Sequence, residues 1–330
     1  MDLSGTDMDN SKYISCDWVT SGIHFFYNRV RFCCYEYLHS PNENIIIPDY
    51  KGEKIDYDRF FDIKRQYIEL AKSGNHHNNC KNCIYLSSAE WAEDDYFDHF
   101  TFNYWSNCNS KCIYCYTKDL PENEKKQYYE VYPIIKDMAQ KGLLHSTPRN
   151  CTVFGGGEPT ILKEFDKLVD LFICEGFDNI RVNSSGIKYS KTLEKGLKNN
   201  SVSLVISPDS GTKESYIQIK RVNCFEKVWD NIKKYAKNQG NENNLKVKYI
   251  VIPKINDNRE EIDKWFEMVQ KCGVKSVSVS VEQNWYSKHH PDFPKHIYDS
   301  LHYICDKAER LNLNMEVYCE AISVLELEHR

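Results

Sequence analysis

From residue 99 to residue 311 the sequence alternates short apolar runs of strand length with longer amphipathic stretches, six times over. The runs fall at 99–105, 151–154, 179–183, 202–206, 246–252 and 275–281, and the amphipathic stretches at 121–141, 160–174, 190–198, 224–237, 260–272 and 294–311. A last short strand is expected at 314–318. Strands separated by helices cannot pair as tight hairpins, so the alternation dictates a parallel sheet with right-handed crossovers. Six units are too few to close an eight-stranded barrel. The expected core is therefore α/β, a partial (β/α)6 TIM-like barrel left open on one side. In such an architecture functional groups gather at the carboxyl ends of the strands.

The first strand runs straight into Cys108-Asn-Ser-Lys-Cys112-Ile-Tyr-Cys115. Three thiols within eight residues make a cup for one inorganic cluster. An iron–sulfur cube normally takes four thiolates, so a loop offering three either borrows a distant fourth or keeps one iron open for substrate or cofactor. A zinc loop completed by a nearby histidine is the other reading of this spacing. The second strand ends in Gly155-Gly156-Gly157-Glu158-Pro159, where bare backbone lets a ligand approach and a carboxylate can accept from an ammonium. The third ends in Asn183-Ser184-Ser185-Gly186 and the fourth in Ser207-Pro208-Asp209-Ser210-Gly211, polar groups suited to a ribose, a carboxylate or the capping of a helix. After the sixth comes a polar, aromatic rim loop, 282–290, the expected place of substrate contact; there Glu282, Tyr286 and His289 could move protons.

The C-x3-C-x2-C spacing, with Tyr114 just before its last cysteine, resembles the signature of the radical S-adenosylmethionine (radical SAM) enzymes, and the glycine-rich turn one strand later is similar to that family's Gly-Gly-Glu motif. The resemblance implies that Cys108, Cys112 and Cys115 hold a 4Fe-4S cluster whose open iron binds SAM, and that Gly156, Gly157 and Glu158 hold the amino group of its methionine moiety. It makes Ser185 and Ser207 contacts to the SAM ribose, with Asn183 and Asp209 behind them, and sets apolar side chains such as Ile252 against the adenine. Arg221 resembles a basic residue that pairs with the SAM carboxylate in relatives; a solvated surface arginine is the alternative. Cys319 would donate a hydrogen atom to a substrate radical, as cysteines do in some epimerases of that family, or else be a buried inert thiol.

Fourteen cysteines in 330 residues, eight of them crowded into the first 115 and six scattered singly beyond, point to metal or redox chemistry rather than a disulfide framework. Cys16 precedes an expected hairpin turning near Tyr27-Asn28, Cys33 and Cys34 end it, a helix follows at 57–73, and Cys80 and Cys83 come as a C-x2-C pair beside His76 and His77. This arrangement resembles the auxiliary-cluster modules called SPASM or twitch domains, although those usually follow the core and this one precedes it. The implied ligands are Cys16, Cys33, Cys80 and Cys83, with Cys34 competing with Cys33 because neighbouring strand residues face opposite ways. A structural zinc with four thiolates fits the same spacing. The expected domains are therefore 1–90, a small cysteine-rich α+β cluster-binding unit, and 91–330, the radical SAM core.

A net charge of -5 disfavours a nucleic-acid partner, no apolar run is long enough for a membrane helix, and the start lacks the features of a signal peptide, so a cytoplasmic location is expected. By resemblance the activity is reductive cleavage of SAM to a 5′-deoxyadenosyl radical that takes a hydrogen atom from substrate, with electrons from a flavodoxin or ferredoxin. A second, auxiliary 4Fe-4S cluster fits an oxidative outcome, because a substrate radical that loses another electron needs an acceptor nearby. With the first hundred residues used by the cluster segment, no leader-peptide module is expected. A small molecule such as an alcohol or sugar derivative is then the first choice of substrate and a peptide or protein the second. A zinc-stabilised binding module without catalysis is the reading from another class.

Overall fold

The six apolar runs become six neighbouring strands of one sheet. The computed structural model describes residues 14–26, 29–32, 45–46, 55–73, 86–88, 91, 95–119, 129–289, 292–318 and 321. In chain order its elements are β1 (Ile14–Ser15), α1 (Asp17–Ser21), β2 (Gly22–Phe26), β3 (Arg29–Arg31), β4 (Ile45–Ile46), α2 (Tyr57–Lys72), β5 (Ser87–Ser88), β6 (His99–Asn103), α3 (Tyr132–Gln140), β7 (Cys151–Phe154), α4 (Phe165–Cys174), β8 (Ile180–Ser184), α5 (Lys191–Lys198), β9 (Val202–Ile206), α6 (Lys213–Lys220), α7 (Phe225–Asn238), β10 (Leu245–Val251), α8 (Arg259–Cys272), β11 (Ser276–Val281), α9 (Gln283–His289), α10 (Lys295–Arg310) and β12 (Asn314–Val317). The main sheet has the order β12-β11-β10-β9-β8-β7-β6-β2-β3-β4. From β12 to β2 every pairing is parallel, while β3 and β4 run antiparallel at one edge.

Side-chain alternation decides which face the helices cover. In β10 Leu245, Val247, Tyr249 and Val251 are buried, while Lys246, Lys248 and Ile250 between them are only half-buried. The same face carries an aromatic row across β2, β6 and β7: Phe25 stacks on Phe102 at 5.4 Å and Phe102 on Phe154 at 4.7 Å, with Phe172 of α4 edge-on to Phe100 at 4.8 Å. Such pairs add ~0.5–1.5 kcal/mol each beyond the area they bury. The opposite face is polar and concave. Tyr318, just after β12, bonds through its hydroxyl to the Arg181 guanidinium of β8, and the Lys248 ammonium of β10 lies 3.8 Å from the centre of its ring. Four strand spacings would separate β8 from β12 by roughly 19 Å in a flat sheet, so this contact requires the sheet to curl. The architecture is the expected partial barrel.

Several boundaries moved for local reasons. The β2–β3 hairpin is present, with Tyr27 and Asn28 outside the described residues, but β2 also pairs in parallel with β6, from Gly22↔His99 to Phe26↔Asn103. Ile23 and Phe25, both 0% exposed, continue the buried face begun by Phe100 and Phe102, so the sheet runs unbroken across residue 90. The expected 121–141 helix begins instead at Tyr132, where the Glu164 carboxylate accepts the Val131 and Tyr132 N–H groups at 3.0 and 2.9 Å; residues 121–128 lie outside the described set. α4 starts at Phe165 rather than at 160, because Glu158 caps a separate short turn over Pro159–Ile161. α1 and α6 were not expected; Thr212 caps α6 by accepting from Ser215 N–H at 3.2 Å. The rim after β11 is not a loop. It forms α9, because the Glu282 carboxylate accepts the Asn284 and Trp285 N–H groups and Trp285 stacks on His289 one helical turn on, at 4.5 Å. Among the described residues no helix is long and apolar enough to cross a membrane.

At the amino ends of the strands Asp98, 3% exposed, accepts from Ser21 Oγ, from His99 Nδ1 at 2.5 Å and from Thr147 Oγ1 at 2.6 Å. Burial pushes its carboxyl up, but these bonds, the one with His99 foremost, outweigh it and hold the pKa below the ordinary value. The carboxylate therefore stabilises the fold above the unfolded-state pKa of about 4, and that contribution is lost as pH falls through the lowered folded value. Asp98→Asn is expected to lower unfolding free energy by about 2 kcal/mol at neutral pH. Urea denaturation should also show this variant losing less further stability than the parent between neutral and strongly acid pH.

Candidate functional site

The loop that follows β6 is held from both sides by backbone hydrogen bonds. On one side Gly157 N–H donates to Trp105 O at 3.0 Å and Glu158 N–H to Asn107 O at 2.9 Å. On the other, Lys111 N–H donates to Lys220 O at 2.9 Å and Ile113 N–H to Ile219 O at 3.0 Å, so the last turn of α6 grips the loop. Cys115 N–H donates to Cys112 O at 3.1 Å and closes a tight turn between them. The glycines are needed for this approach. Gly156 has φ +78°, and a Cβ on Gly157 would lie 2.2 Å from Asn107 O.

Cys108 is exposed, and Cys112 and Cys115 are half-buried. Ser110 Oγ lies 3.3 Å from Cys108 Sγ and 3.6 Å from Cys112 Sγ, and Thr117 Oγ1 lies 2.9 Å from Cys115 Sγ. Among the described residues no three metal-binding side chains converge on one point, and no disulfide joins the described cysteines. Three thiols outside any disulfide, spaced along one clamped loop, are the donor set a 4Fe-4S cluster takes with one iron left over, so the chemistry of the residues fits that group. Cys16 is buried ahead of α1. Cys33, Cys34, Cys80, Cys83, His76, His77 and Cys319 lie outside the described residues.

Two buried carboxylates organise the strand ends. Glu158, 1% exposed, accepts from Thr160 N–H at 3.1 Å, Thr160 Oγ1 at 2.6 Å, Ser184 Oγ at 2.8 Å and Ser185 N–H at 2.6 Å, tying the end of β7 to that of β8. Both its oxygens are thus engaged inside the chain, three bonds to Oε1 and one to Oε2. Ser185 Oγ in turn donates to Asn109 Oδ1 of the cysteine loop at 2.9 Å. Asp209 is 0% exposed, with φ +56°; it accepts from Tyr114 OH at 2.5 Å, Lys220 Nζ at 2.5 Å and Ile250 N–H at 2.9 Å. Burial, then the neighbouring Asp209 charge, raises the Tyr114 pKa well above its ordinary value and keeps the phenol protonated.

The remaining expected contacts sit on the same rim. Asn183 is exposed, with Nδ2 3.5 Å from Phe154 O, and Ser207 is half-buried just past β9. Ile252 is buried, its N–H donating to Asn256 Oδ1 at 2.6 Å. Arg221 is exposed at the left-handed cap of α6, φ +58°. A groove of about 400 Å³ joins the cysteine loop to the ends of β10 and β11, lined by Ile113, Tyr114, Lys118, Ile252, Glu282, Asn284 and Lys288. Of the proton-moving candidates Glu282 reaches it, although its carboxylate caps α9; Tyr286 and His289 pack in the Trp285 and Phe293 aromatic group instead. Sequence reading missed Asn109, Thr160, Asn256 and Lys220. Only Lys220 left a trace there, as the neighbour of Arg221.

The family described as the radical SAM superfamily matches residues 102–267, half of the chain. Over 179 residues the chain is 27% identical to the cysteine-type anaerobic sulfatase-maturating enzyme of Clostridium novyi (strain NT), covering 50% of this chain and 46% of that protein. Over 175 residues it is 27% identical to the GTP 3′,8-cyclase of Clostridium botulinum (strain Okra / Type B1), covering 51% of each. The chain spans about half the length of the curated relatives it matches. Among solved structures, SuiB of Streptococcus suis bound to S-adenosylmethionine shares the fold at TM-score 0.53 and 14% identity, over 81% of this chain and 57% of that one. SuiB bound to its precursor peptide SuiA superposes at TM-score 0.52 with 13% identity, over 82% and 64% of the two chains.

Gly157→Ala forces its methyl group into the Asn107 carbonyl. The expected result is a stability loss of about 1–3 kcal/mol. Amide hydrogen exchange should quicken across 106–115 and stay unchanged in β9 and β10, which hydrogen–deuterium exchange mass spectrometry reads directly.

Proposed function

Since the chain belongs to the radical SAM superfamily, whose members use a 4Fe-4S cluster and SAM, we propose that Cys108, Cys112 and Cys115 are the ligands of that cluster in this enzyme. The observation that carries the assignment is the doubly clamped loop: three thiols on one backbone segment, fixed between the Gly156-Gly157 turn and the end of α6. When bound, the two cofactors would supply hydrogen-abstracting radical chemistry, one electron passed from an external donor through the cluster being used to split SAM into methionine and a 5′-deoxyadenosyl radical. The chain's own residues position and shield that event. The bare backbone at Gly156 and Gly157 leaves room for the methionine end of SAM, Ser185, Ser207 and Asn183 offer polar contacts to its ribose, Ile252 offers an apolar wall for the adenine, and Arg221 stands where a carboxylate could be met.

In this reading Cys16, Cys33 or Cys34, Cys80 and Cys83 form an auxiliary 4Fe-4S site in the segment 1–90, a SPASM or twitch-like segment that precedes the core motifs in the chain and shares their sheet through β2. An electron acceptor there supports oxidation of the substrate by dehydrogenation, with a flavodoxin or ferredoxin as external donor. The polar concave face, with Asn103, Arg181, Asn183 and Lys248 between the strands, suits a small polar molecule such as an alcohol or sugar derivative. A peptide substrate is the second reading, supported by likeness to a sulfatase-maturating enzyme and to the fold of SuiB, which has been seen with a precursor peptide. Cys319 serves as a hydrogen-atom donor in that second reading.

Anaerobically purified protein with SAM and a strong reductant tests the assignment. Cys115→Ala is expected to abolish release of 5′-deoxyadenosine, and Cys83→Ala to retain it while losing substrate oxidation. Mass spectrometry of a cell extract incubated with reduced enzyme and SAM should show a product two hydrogens lighter than its precursor. A Cys83→Ala enzyme that turns over the same substrate normally would remove the auxiliary site from the account.

A further inference from the structure

Lys220 ends α6 and is 3% exposed. Its ammonium meets Asp209 Oδ2 at 2.5 Å and Tyr114 OH at 2.5 Å, and Tyr114 donates to the same carboxylate oxygen at 2.5 Å. The ammonium lies 4.9 Å from the centre of the Tyr114 ring. The backbone carbonyl of Lys220 holds Lys111 N–H of the cysteine loop at 2.9 Å, so one residue grips the loop from its edge and reaches beneath it with a charge. The other Asp209 oxygen takes Ile250 N–H, and the Asp209 carbonyl takes Asn256 Nδ2 at 2.8 Å, which leaves the carboxylate no freedom to swing. Both Asp209 and Arg221 hold a left-handed backbone, φ +56° and +58°, uncommon for residues other than glycine, Arg221 as the cap of α6.

Stability alone gives no reason for a cation here. A buried ion pair is a weak stabiliser, and well-packed apolar groups of the same volume often do as well or better. The charge is nonetheless kept: burial pushes the Lys220 pKa down, but the Asp209 carboxylate 2.5 Å from the ammonium outweighs it. Tyr114 stands between Cys112 and Cys115 in the chain, so Lys220 meets the cysteine loop twice, through its carbonyl at Lys111 and through its ammonium at Tyr114.

We propose that Lys220 is a positioning residue whose fixed positive charge, set against the cysteine loop by Asp209 and Tyr114, raises the reduction potential of the cluster that loop holds. The proposal rests on the assignment of Cys108, Cys112 and Cys115 as ligands. A cluster gains one negative charge when it takes an electron from an external reductant, and a nearby buried cation stabilises that form more than the oxidised one. Cluster potentials respond to such local charge, to hydrogen bonding and to exposure. Asp209 offsets part of the field, so removing either member of the pair moves the potential in opposite directions.

The test is an EPR-monitored redox titration of the full cluster-loaded chain, following the reduced signal that changes on addition of SAM. At the potential where half of the parent's cluster is reduced, Lys220→Met should lower the ratio of reduced to oxidised cluster about tenfold, which is 59 mV for a one-electron couple. Lys220→Arg should restore the parent's ratio, and Asp209→Asn should raise it. A Lys220→Met ratio equal to the parent's, or equal shifts in the Met and Arg variants, overturns the proposal. Should the Met variant fail to load iron, the Asn variant decides: a ratio unchanged or lowered overturns the proposal, and a raised one supports it. A parent protein without a SAM-sensitive cluster signal would overturn the ligand assignment instead.

Discussion

The backbone of residues 105–115 is held by four main-chain hydrogen bonds, two of which need bare glycine backbone to form. Two come from the glycine turn after β7 and two go to the last carbonyls of α6. Each adds only about 1 kcal/mol of net stability, but together they fix a segment whose own residues form neither helix nor strand. The sheet keeps those two clamps at a fixed separation. β6 and β7 are neighbours in register, His99↔Cys151 to Phe102↔Phe154, which sets the glycine turn beside the loop. α6 follows β9, three strands along, so the loop is anchored across the mouth of the curled sheet rather than along its rim.

Around that mouth the strongest charges are spent inside the protein. Glu158 and Asp209 are buried and bonded to hydroxyls, amides and one lysine, and each joins the ends of two strands: β7 to β8 for Glu158, β9 to β10 for Asp209. What the rim leaves open is backbone, serine hydroxyls and the apolar edge of Ile252, while the two carboxylates fix the strand ends through donors of the chain itself.

How much of this was legible in the sequence differs by element. All six core strands were readable because buried parallel strands are short, apolar and spaced by helices, and their ends shifted by only one or two residues. The cysteine loop and the glycine turn were readable because chemistry demands those residue types at those spacings. α6 was missed because its sequence, Lys213-Glu-Ser-Tyr-Ile-Gln-Ile-Lys220, lacks a clear apolar stripe and its cap at Thr212 is a single side-chain bond. α9 was read as a loop because seven polar and aromatic residues carry too little periodicity to outweigh their polarity. The pairing of β2 with β6 is a contact between segments 77 positions apart in register, and nothing local to either announces it. The inward duties of Glu158 and Asp209 were equally hidden, since a sequence shows a carboxylate at a strand end but not which way it is spent.

The sheet also ends itself. At one margin the parallel order gives way to the antiparallel β3 and then to β4, two residues long; at the other it stops with β12, four residues long. Exposed strand margins invite pairing with a second molecule, and the invitation scales with the length of unpaired backbone on offer. Among the described residues, both flanks thus taper to strands that offer a second molecule only a short run of backbone.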